Sequence, residues 1–148
     1  MLRIIIIIFS VVFFESLSFS QDEYFLTLRY DQVHLRQGPS REYPIKILYK
    51  KKFLPVLIQD KSDNFRKIRD QENNSGWIHV SQLSKKKAAI VIEEKLIMFK
   101  KPTIYSKPIV ILKKGRLAKI IKCKEFWCKA KSDKYKGWVK KDSLWGLL

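Results

Sequence analysis

The chain has 148 residues, with 31 Lys and Arg against 14 Asp and Glu, and a formal net charge of +17. This length leaves no room for a separate catalytic domain beside the units described below. A surface this basic attracts polyanions in general, although the codon usage of an AT-rich genome is an alternative origin of the lysines.

Residues 1–20 are predicted to form a cleavable secretory signal. Arg3 provides a positive front, residues 4–14 form an apolar run broken only by Ser10, and Ser18 and Ser20 place small residues at the two positions that a signal peptidase reads. An uncleaved anchor is the rival interpretation, but a spanning helix needs about 20 apolar residues. The prediction is an exported protein, periplasmic or extracellular and associated with the cell envelope. It has no stable membrane span after cleavage, and nucleic acid is not expected as a partner.

The mature chain shows short apolar runs separated by turn residues, without helical periodicity, which predicts an all-β protein. In the first half, the predicted strands are residues 24–28, 33–35, 45–49, 53–59, 65–69 and 76–79, followed by a 3₁₀ turn at 80–83. In the second half, they are residues 88–92, 96–99, 109–112, 117–123, 127–130 and 137–139, with a closing turn at 141–144. Pro55, inside the predicted strand 53–59, favours an edge position or a bulge.

The two halves are copies of one unit of about 60 residues. The segment G-W-I-H-V-S-Q-L at 76–83 recurs as G-W-V-K-K-D-S-L at 137–144. Further matches are Pro39 with Pro102, Lys51-Lys52 with Lys113-Lys114, and Tyr43-Pro44-Ile45 with Lys107-Pro108-Ile109. The predicted domains are residues 21–86 and 87–148. Units of this size are marginal alone, so we expect the two copies to pack against each other.

Several motifs of the first copy resemble the bacterial Src-homology-3-like domain of exported proteins, whose usual pattern is L-R-x-G-P, Y-P, K-x-G, W-x-K-V and G-W-V. They are H-L-R-Q-G-P-S at 34–40, Y-P-I at 43–45, K-K at 51–52, F-R-K-I-R at 65–69 and the Gly-Trp segment at 76–83. The first copy departs from the pattern at Phe53, where the family often has Gly. The second copy is more divergent, because Phe99-Lys100-Lys101-Pro102 replaces Arg36-Gln37-Gly38-Pro39.

This resemblance implies two tandem small Src-homology-3-like β-barrels of five to seven strands, with roles in binding cell-wall or envelope components and no enzymatic activity. We therefore expect a non-catalytic binding module without cofactor or metal, which recognises peptidoglycan through its peptides or glycan. One alternative is an accessory or inhibitor subunit that contacts another envelope protein. Another is a non-specific polyanion binder.

A ligand-binding groove is predicted in the first copy, between the loop 36–44 and the hairpin loop 72–75. Its candidate ligand-binding residues are Arg36, Arg41, Tyr43 and Trp77. Aromatic faces beside an Arg suit an extended peptide or a glycan that carries carboxylates. In the second copy the changed loop puts the same role in doubt.

Simpler interpretations of the same residues stay open. Arg36 is also suited to holding its own loop by hydrogen bonds to backbone carbonyls, and Trp77 and Trp138 are interpreted first as core or barrel-closing aromatics. His34 and His79 are interpreted as ordinary strand residues, because neither belongs to a metal-ligand spacing.

The cysteines Cys123 and Cys128 are predicted to form a disulfide bond. They flank Lys124-Glu125-Phe126-Trp127, which reads as a tight hairpin turn between two strands. Residues that face each other across such a turn come within the Cα distance of about 4.4–6.8 Å that a disulfide requires. An exported location is oxidising enough to form the bond, and two thiols alone are too few ligands for a metal site.

Overall fold

The structure is a computed structural model, and it describes residues 22–148. The predicted signal at residues 1–20 lies outside the described residues. Within the described range the chain forms 14 β-strands and two single-turn 3₁₀ helices, which confirms the all-β prediction. No helix in this range is long and apolar enough to cross a bilayer.

The first half of the chain forms a seven-stranded antiparallel sheet with the spatial order β3-β2-β6-β5-β4-β1-β7. Its strands are β1 (Tyr24–Leu28), β2 (Val33–Arg36), β3 (Ile45–Tyr49), β4 (Pro55–Ser62), β5 (Phe65–Arg69), β6 (Ser75–His79) and β7 (Leu83–Ser84). The first 3₁₀ helix, Val80–Gln82, connects β6 to β7, at the place where the sequence predicts a 3₁₀ turn.

The second half repeats this topology strand for strand, in the order β10-β9-β13-β12-β11-β8-β14. Its strands are β8 (Ala88–Val91), β9 (Lys95–Phe99), β10 (Pro108–Lys113), β11 (Leu117–Lys124), β12 (Trp127–Ser132), β13 (Tyr135–Lys140) and β14 (Leu144–Trp145). The second 3₁₀ helix, Lys141–Ser143, again connects the last long strand to the closing one. The internal repeat of the sequence is therefore a structural repeat, and the prediction of two tandem Src-homology-3-like domains is confirmed.

Each sheet folds around its own apolar core. In the first domain, side chains from both ends of the strand order meet in one cluster, which requires the sheet to curl onto itself. The cluster consists of Leu28, Val33, Leu35, Val56, Ile58, Ile68, Ile78 and Leu83. Each of these side chains contributes about 1.5–3 kcal/mol by leaving water. Because the members alternate with outward-facing residues along each strand, the same alternation determines which residues reach the outer face.

The fourth strand differs from its prediction in start and position. It begins at Pro55 instead of residue 53 and runs to Ser62, and it lies inside the sheet between β5 and β1. The predicted edge position is wrong, because a proline is also tolerated as the first residue of an internal strand. The bulge in this strand lies further on, between Ile58 and Asp60.

One repeat match is shifted by one residue. Ile45 pairs with Arg36, and Pro108 pairs with Phe99 at the equivalent position of the second domain. Ile45 therefore corresponds to Pro108, whereas the sequence match assigns Pro108 to Pro44. Two proline residues at neighbouring positions produce the false match.

Phe53 stands where the family often has Gly, and the structure shows what its backbone and side chain do there. Its backbone has a φ of 66°, and Gly115 has a φ of 81° at the equivalent turn of the second domain. Both N–H groups donate to the carbonyl of a lead-in strand, at Leu28 and Val91 respectively. The Phe53 ring lies 4.4 Å from Nζ of Lys119 on β11, so this side chain contacts the second domain.

The two domains pack against each other elsewhere as well. The ring centroids of Phe25 in β1 and Trp145 in β14 lie 4.9 Å apart in an edge-to-face arrangement. A Cβ atom on Gly146 would come within 2.8 Å of the Pro55 side chain, which shows how closely the C-terminal turn approaches the first domain. The expected contact between the copies is present.

Candidate functional site

The outer face of β2, β6 and β5 carries the polar and aromatic side chains of the first domain. Leu35, Ile78 and Ile68 on these strands belong to the core, so their neighbours along each strand point outward. Arg36 lies directly opposite Trp77, and Phe65 lies directly opposite His79. The rings of Phe65 and His79 are 5.1 Å apart in an edge-to-face arrangement.

A cavity of about 220 Å³ lies on this face, between the loop after β2 and the 3₁₀ helix after β6. Its lining residues are His34, Arg36, Arg41, Phe65, His79, Ser81 and Gln82. Among residues 22–148, no Asp or Glu lines the cavity. Two guanidinium groups, two imidazoles and a hydroxyl therefore face a space that suits an anion.

Arg36 holds the loop that forms one wall of the cavity. Its Nη1 donates to the carbonyl oxygens of Arg41, at 3.1 Å, and of Tyr43, at 2.9 Å. The backbone N–H of Gln37 also donates to the carbonyl of Pro44, which closes the base of the loop. The structure therefore supports the loop-holding interpretation of Arg36, and the side chain remains part of the cavity lining.

Of the two arginines that line the cavity, Arg41 has the guanidinium with fewer hydrogen bonds to the protein. Its side chain is exposed at the tip of the loop, and it forms no ion pair with any residue in 22–148. The hydrogen bond that involves Arg41 uses its backbone carbonyl, so its guanidinium is available to a ligand.

Tyr43 and Trp77 lie next to Arg36 but do not line the cavity. The Tyr43 ring covers Gly38, because a Cβ atom there would be 2.5 Å from the ring. Trp77 is half-buried on the outer face, and the hairpin loop 72–75 does not contribute to the lining. Of the four candidate residues, the structure brings Arg36 and Arg41 together and places the two aromatic residues beside them.

Sequence reasoning missed five of the residues that line the cavity, which are His34, Phe65, His79, Ser81 and Gln82. The N–H of Ser81 donates to Nδ1 of His79 at 3.2 Å, so a neutral ring carries its proton on Nε2. The alternation of side chains along a strand could have identified both histidines, because it places His34 on the same face as Arg36 and His79 on the same face as Trp77.

The same face of the second domain is apolar and aromatic. Ile97 and Phe99 occupy the positions of His34 and Arg36, and the Phe99 and Trp127 rings lie 5.8 Å apart. Trp138 is 7% exposed but lies outside the core cluster, and Nζ of Lys122 and of Lys124 lie 5.7 Å and 5.9 Å from its ring centroid. Trp138 is buried, as its first interpretation expects, whereas Trp77 is only half-buried on the outer face.

Two parts of the chain match the same protein family. A model of the bacterial SH3 domain matches residues 29–85 and again residues 93–146. The chain belongs to the bacterial SH3 domain family. Its sequence resemblance to that family is thereby confirmed in both halves.

Comparison with other proteins adds no functional assignment to the two bacterial SH3 domains. No curated protein matches the chain. Among solved structures, NlpC2 from Trichomonas vaginalis is similar at 13% identity and a TM-score of 0.39, covering 84% of this chain and 48% of that one. NlpC1 from the same organism has 13% identity and a TM-score of 0.38, covering 86% and 47%. The chain spans about half the length of these two proteins.

A second cavity, of about 390 Å³, lies where the first bacterial SH3 domain meets the second. It is lined by residues of both domains, among them Ile47, Tyr49, Asp70, Ile90 and Gly115. The Asp70 carboxylate accepts hydrogen bonds from the Tyr49 hydroxyl, at 2.8 Å, and from the backbone N–H groups of Glu72 and Asn74. These bonds hold the Asp70 carboxylate within its own hairpin loop.

Tyr49 gives a testable pH dependence. Its burial, together with the hydrogen bond to Asp70, raises the pKa of the phenol well above its usual value of about 10. The contribution of the neutral phenol to stability is fully present below about pH 10, and it is lost as the pH rises, because the unfolded chain releases the proton first. We expect Tyr49→Phe to remove this contribution, so urea titrations should show a shallower loss of stability above pH 10. Equal slopes for the variant and the parent would contradict this assignment.

Proposed function

We propose that the chain is an exported, non-catalytic binding module of the cell envelope that recognises carboxylate-bearing peptides or glycans of peptidoglycan. The observation that carries the proposal is the cavity of the first domain, where Arg41 and Arg36 meet His34 and His79. A guanidinium binds a carboxylate through two parallel hydrogen bonds, and the peptide stems of peptidoglycan carry carboxylates. Phe65 adds an apolar wall against which a sugar or peptide can pack.

The envelope location is part of the same proposal. Cys123 and Cys128 form a disulfide, and disulfides persist mainly in oxidising compartments outside the cytoplasm. The predicted signal at residues 1–20 agrees with such a location.

The proposal assigns the chain no catalytic step, cofactor or metal. The two cysteines of residues 22–148 are joined in the disulfide, so this range contains no free thiol. No group of three or more His, Cys, Asp or Glu side chains in the same range comes together as metal ligands would. Binding alone accounts for the proposed role.

The proposal is tested by co-sedimentation with purified cell wall at low and high salt. Arg41→Ala should weaken binding about tenfold at both salt concentrations, because a charge-assisted hydrogen bond in a cavity contributes about 1.5–3 kcal/mol. The control variant replaces Lys85, Lys86 and Lys87 by Gln. It should weaken binding only at low salt, since exposed charges are screened.

Two outcomes would overturn the proposal. In one, the Arg41→Ala variant binds the wall like the parent, while the lysine variant loses all binding. The protein would then be a basic polyanion binder. In the other, the parent does not bind purified wall but retains a single protein from envelope extract. That result would indicate an accessory subunit.

A further inference from the structure

The loop of residues 100–107 in the second domain repeats the backbone of residues 37–44 in the first. The N–H of Gln37 donates to the carbonyl of Pro44, and the N–H of Lys100 donates to that of Lys107. Two inner turns recur in the same way. The N–H of Ser40 donates to the carbonyl of Gly38, as the N–H of Thr103 does to that of Lys101. The N–H of Tyr43 donates to the carbonyl of Ser40, as the N–H of Ser106 does to that of Thr103. The two loops therefore share one geometry, with equivalent residues 63 positions apart.

The tips of these two loops differ completely in chemistry. The first loop carries Arg41 and Glu42, whereas the equivalent positions of the second carry Ile104 and Tyr105. Ile104 is 54% exposed and Tyr105 is 91% exposed. Two large apolar side chains thus project into solvent from an ordered loop, and Lys100, Lys101 and Lys107 flank them in sequence.

The loop also satisfies most of its backbone donors internally. The N–H of Lys101 donates to Oγ of Ser106 at 2.8 Å, and the N–H of Tyr105 donates to Oγ1 of Thr103 at 3.3 Å. Pro102 has no N–H to satisfy. Backbone groups that lose water without a partner are costly, so a loop with internal bonds can enter an apolar interface at little extra cost.

The two strands that the loop joins also carry exposed isoleucines. Ile97 on β9 lies directly opposite Ile111 on β10, and both side chains are exposed on the outer face. Residues 88–148 contain 16 Lys and Arg against five Asp and Glu. The second domain thus combines exposed isoleucines with most of the positive charge of the protein.

We propose that the 100–107 loop and the adjoining face of the second domain dock on an anionic lipid surface. Ile104 and Tyr105 enter the interface, where an amphipathic tyrosine is favoured, and the flanking lysines contact the lipid phosphates. A soluble polyanion would engage the lysines but would leave the isoleucines in water. The apolar tip therefore favours a lipid surface over an acidic glycan.

The test uses vesicles of phosphatidylglycerol and phosphatidylcholine, with vesicles of phosphatidylcholine alone as the uncharged comparison. We expect the full chain to bind the anionic vesicles, and its binding to weaken as salt increases. Ile104→Arg with Tyr105→Glu gives the second loop the tip of the first without changing the net charge. This variant should lower the partition coefficient at least about tenfold, because two large side chains lose their apolar contact.

A matched variant separates charge from insertion. Lys100→Gln with Lys101→Gln and Lys107→Gln should remove much of the salt-sensitive binding and retain the apolar part. Arg41→Ala should bind vesicles like the parent, and the Ile104 and Tyr105 variant should bind purified wall like the parent. These two results distinguish failure of the lipid proposal from failure of the wall proposal.

The lipid proposal is overturned if the full chain does not bind anionic vesicles at low salt. It is also overturned if the Ile104 and Tyr105 variant binds them as tightly as the parent. Loss of wall binding by that variant, without vesicle binding by the parent, would assign the loop to the wall instead.

Discussion

Gly76→Ala and Gly137→Ala should each destabilise their domain by about 3 kcal/mol, at the upper end of the cost of overpacking. A Cβ atom on Gly76 would lie 2.6 Å from the carbonyl oxygen of Arg36, and one on Gly137 would lie 2.6 Å from that of Phe99. The clashing atom belongs to the backbone of a neighbouring strand, so it cannot rotate away. Relief of the clash requires β6 to separate from β2, or β13 from β9.

Urea unfolding of each variant measures this effect. Gly115→Ala is the control, because it introduces the same methyl group at a φ of 81° but with no atom within 4 Å. It should cost only about 1 kcal/mol, through backbone conformation alone. A loss at Gly76 or Gly137 no larger than that at Gly115 would contradict the role of close strand approach.

Removal of the disulfide by Cys123→Ala with Cys128→Ala should lower the free energy of unfolding by about 2 kcal/mol, since the bond closes a loop of only six residues. The two cysteines are directly opposite each other on β11 and β12, with Cα atoms 4.0 Å apart. This confirms the predicted pairing, at a Cα distance slightly below the expected range. Cys128 is fully buried, and alanine avoids placing a polar group there.

Two measurements check the disulfide. Mass spectrometry of the unreduced protein should find no thiol that can be alkylated, and the reduced parent should unfold at the same urea concentration as the double alanine variant. A reduced parent as stable as the oxidised one would mean that the bond contributes nothing to stability.

Much of the fold could be predicted from the sequence, because alternation and turn residues act locally. The bounds of β3 and β5 match their predictions, and the Gly-Trp repeat indicates the two domains. The start of β4 could not be predicted in this way. Phe53 adopts a left-handed backbone that favours glycine, and its ring contacts Lys119 in the other domain. Contacts between domains leave no periodic signal in the sequence.

The candidate site was harder to predict than the fold. Arg36 and Arg41 are recognisable from the loop motif, but the histidines enter the cavity only through strand register. Trp77 suits a core by hydrophobicity, whereas Ile78 beside it takes the core position. A large aromatic next to a buried β-branched residue does not by itself reveal which of the two faces inward.

The central claim, that the first domain binds a carboxylate-bearing wall peptide in its cavity, is tested most directly by nuclear magnetic resonance. A soluble peptide with the carboxylates of a peptidoglycan stem is titrated into the ¹⁵N-labelled protein. The account predicts saturable shifts centred on the amides of His34, Arg36, Arg41 and His79, and their loss in the Arg41→Ala variant. Shifts confined to the lysine clusters, or shifts that persist unchanged in that variant, would contradict it.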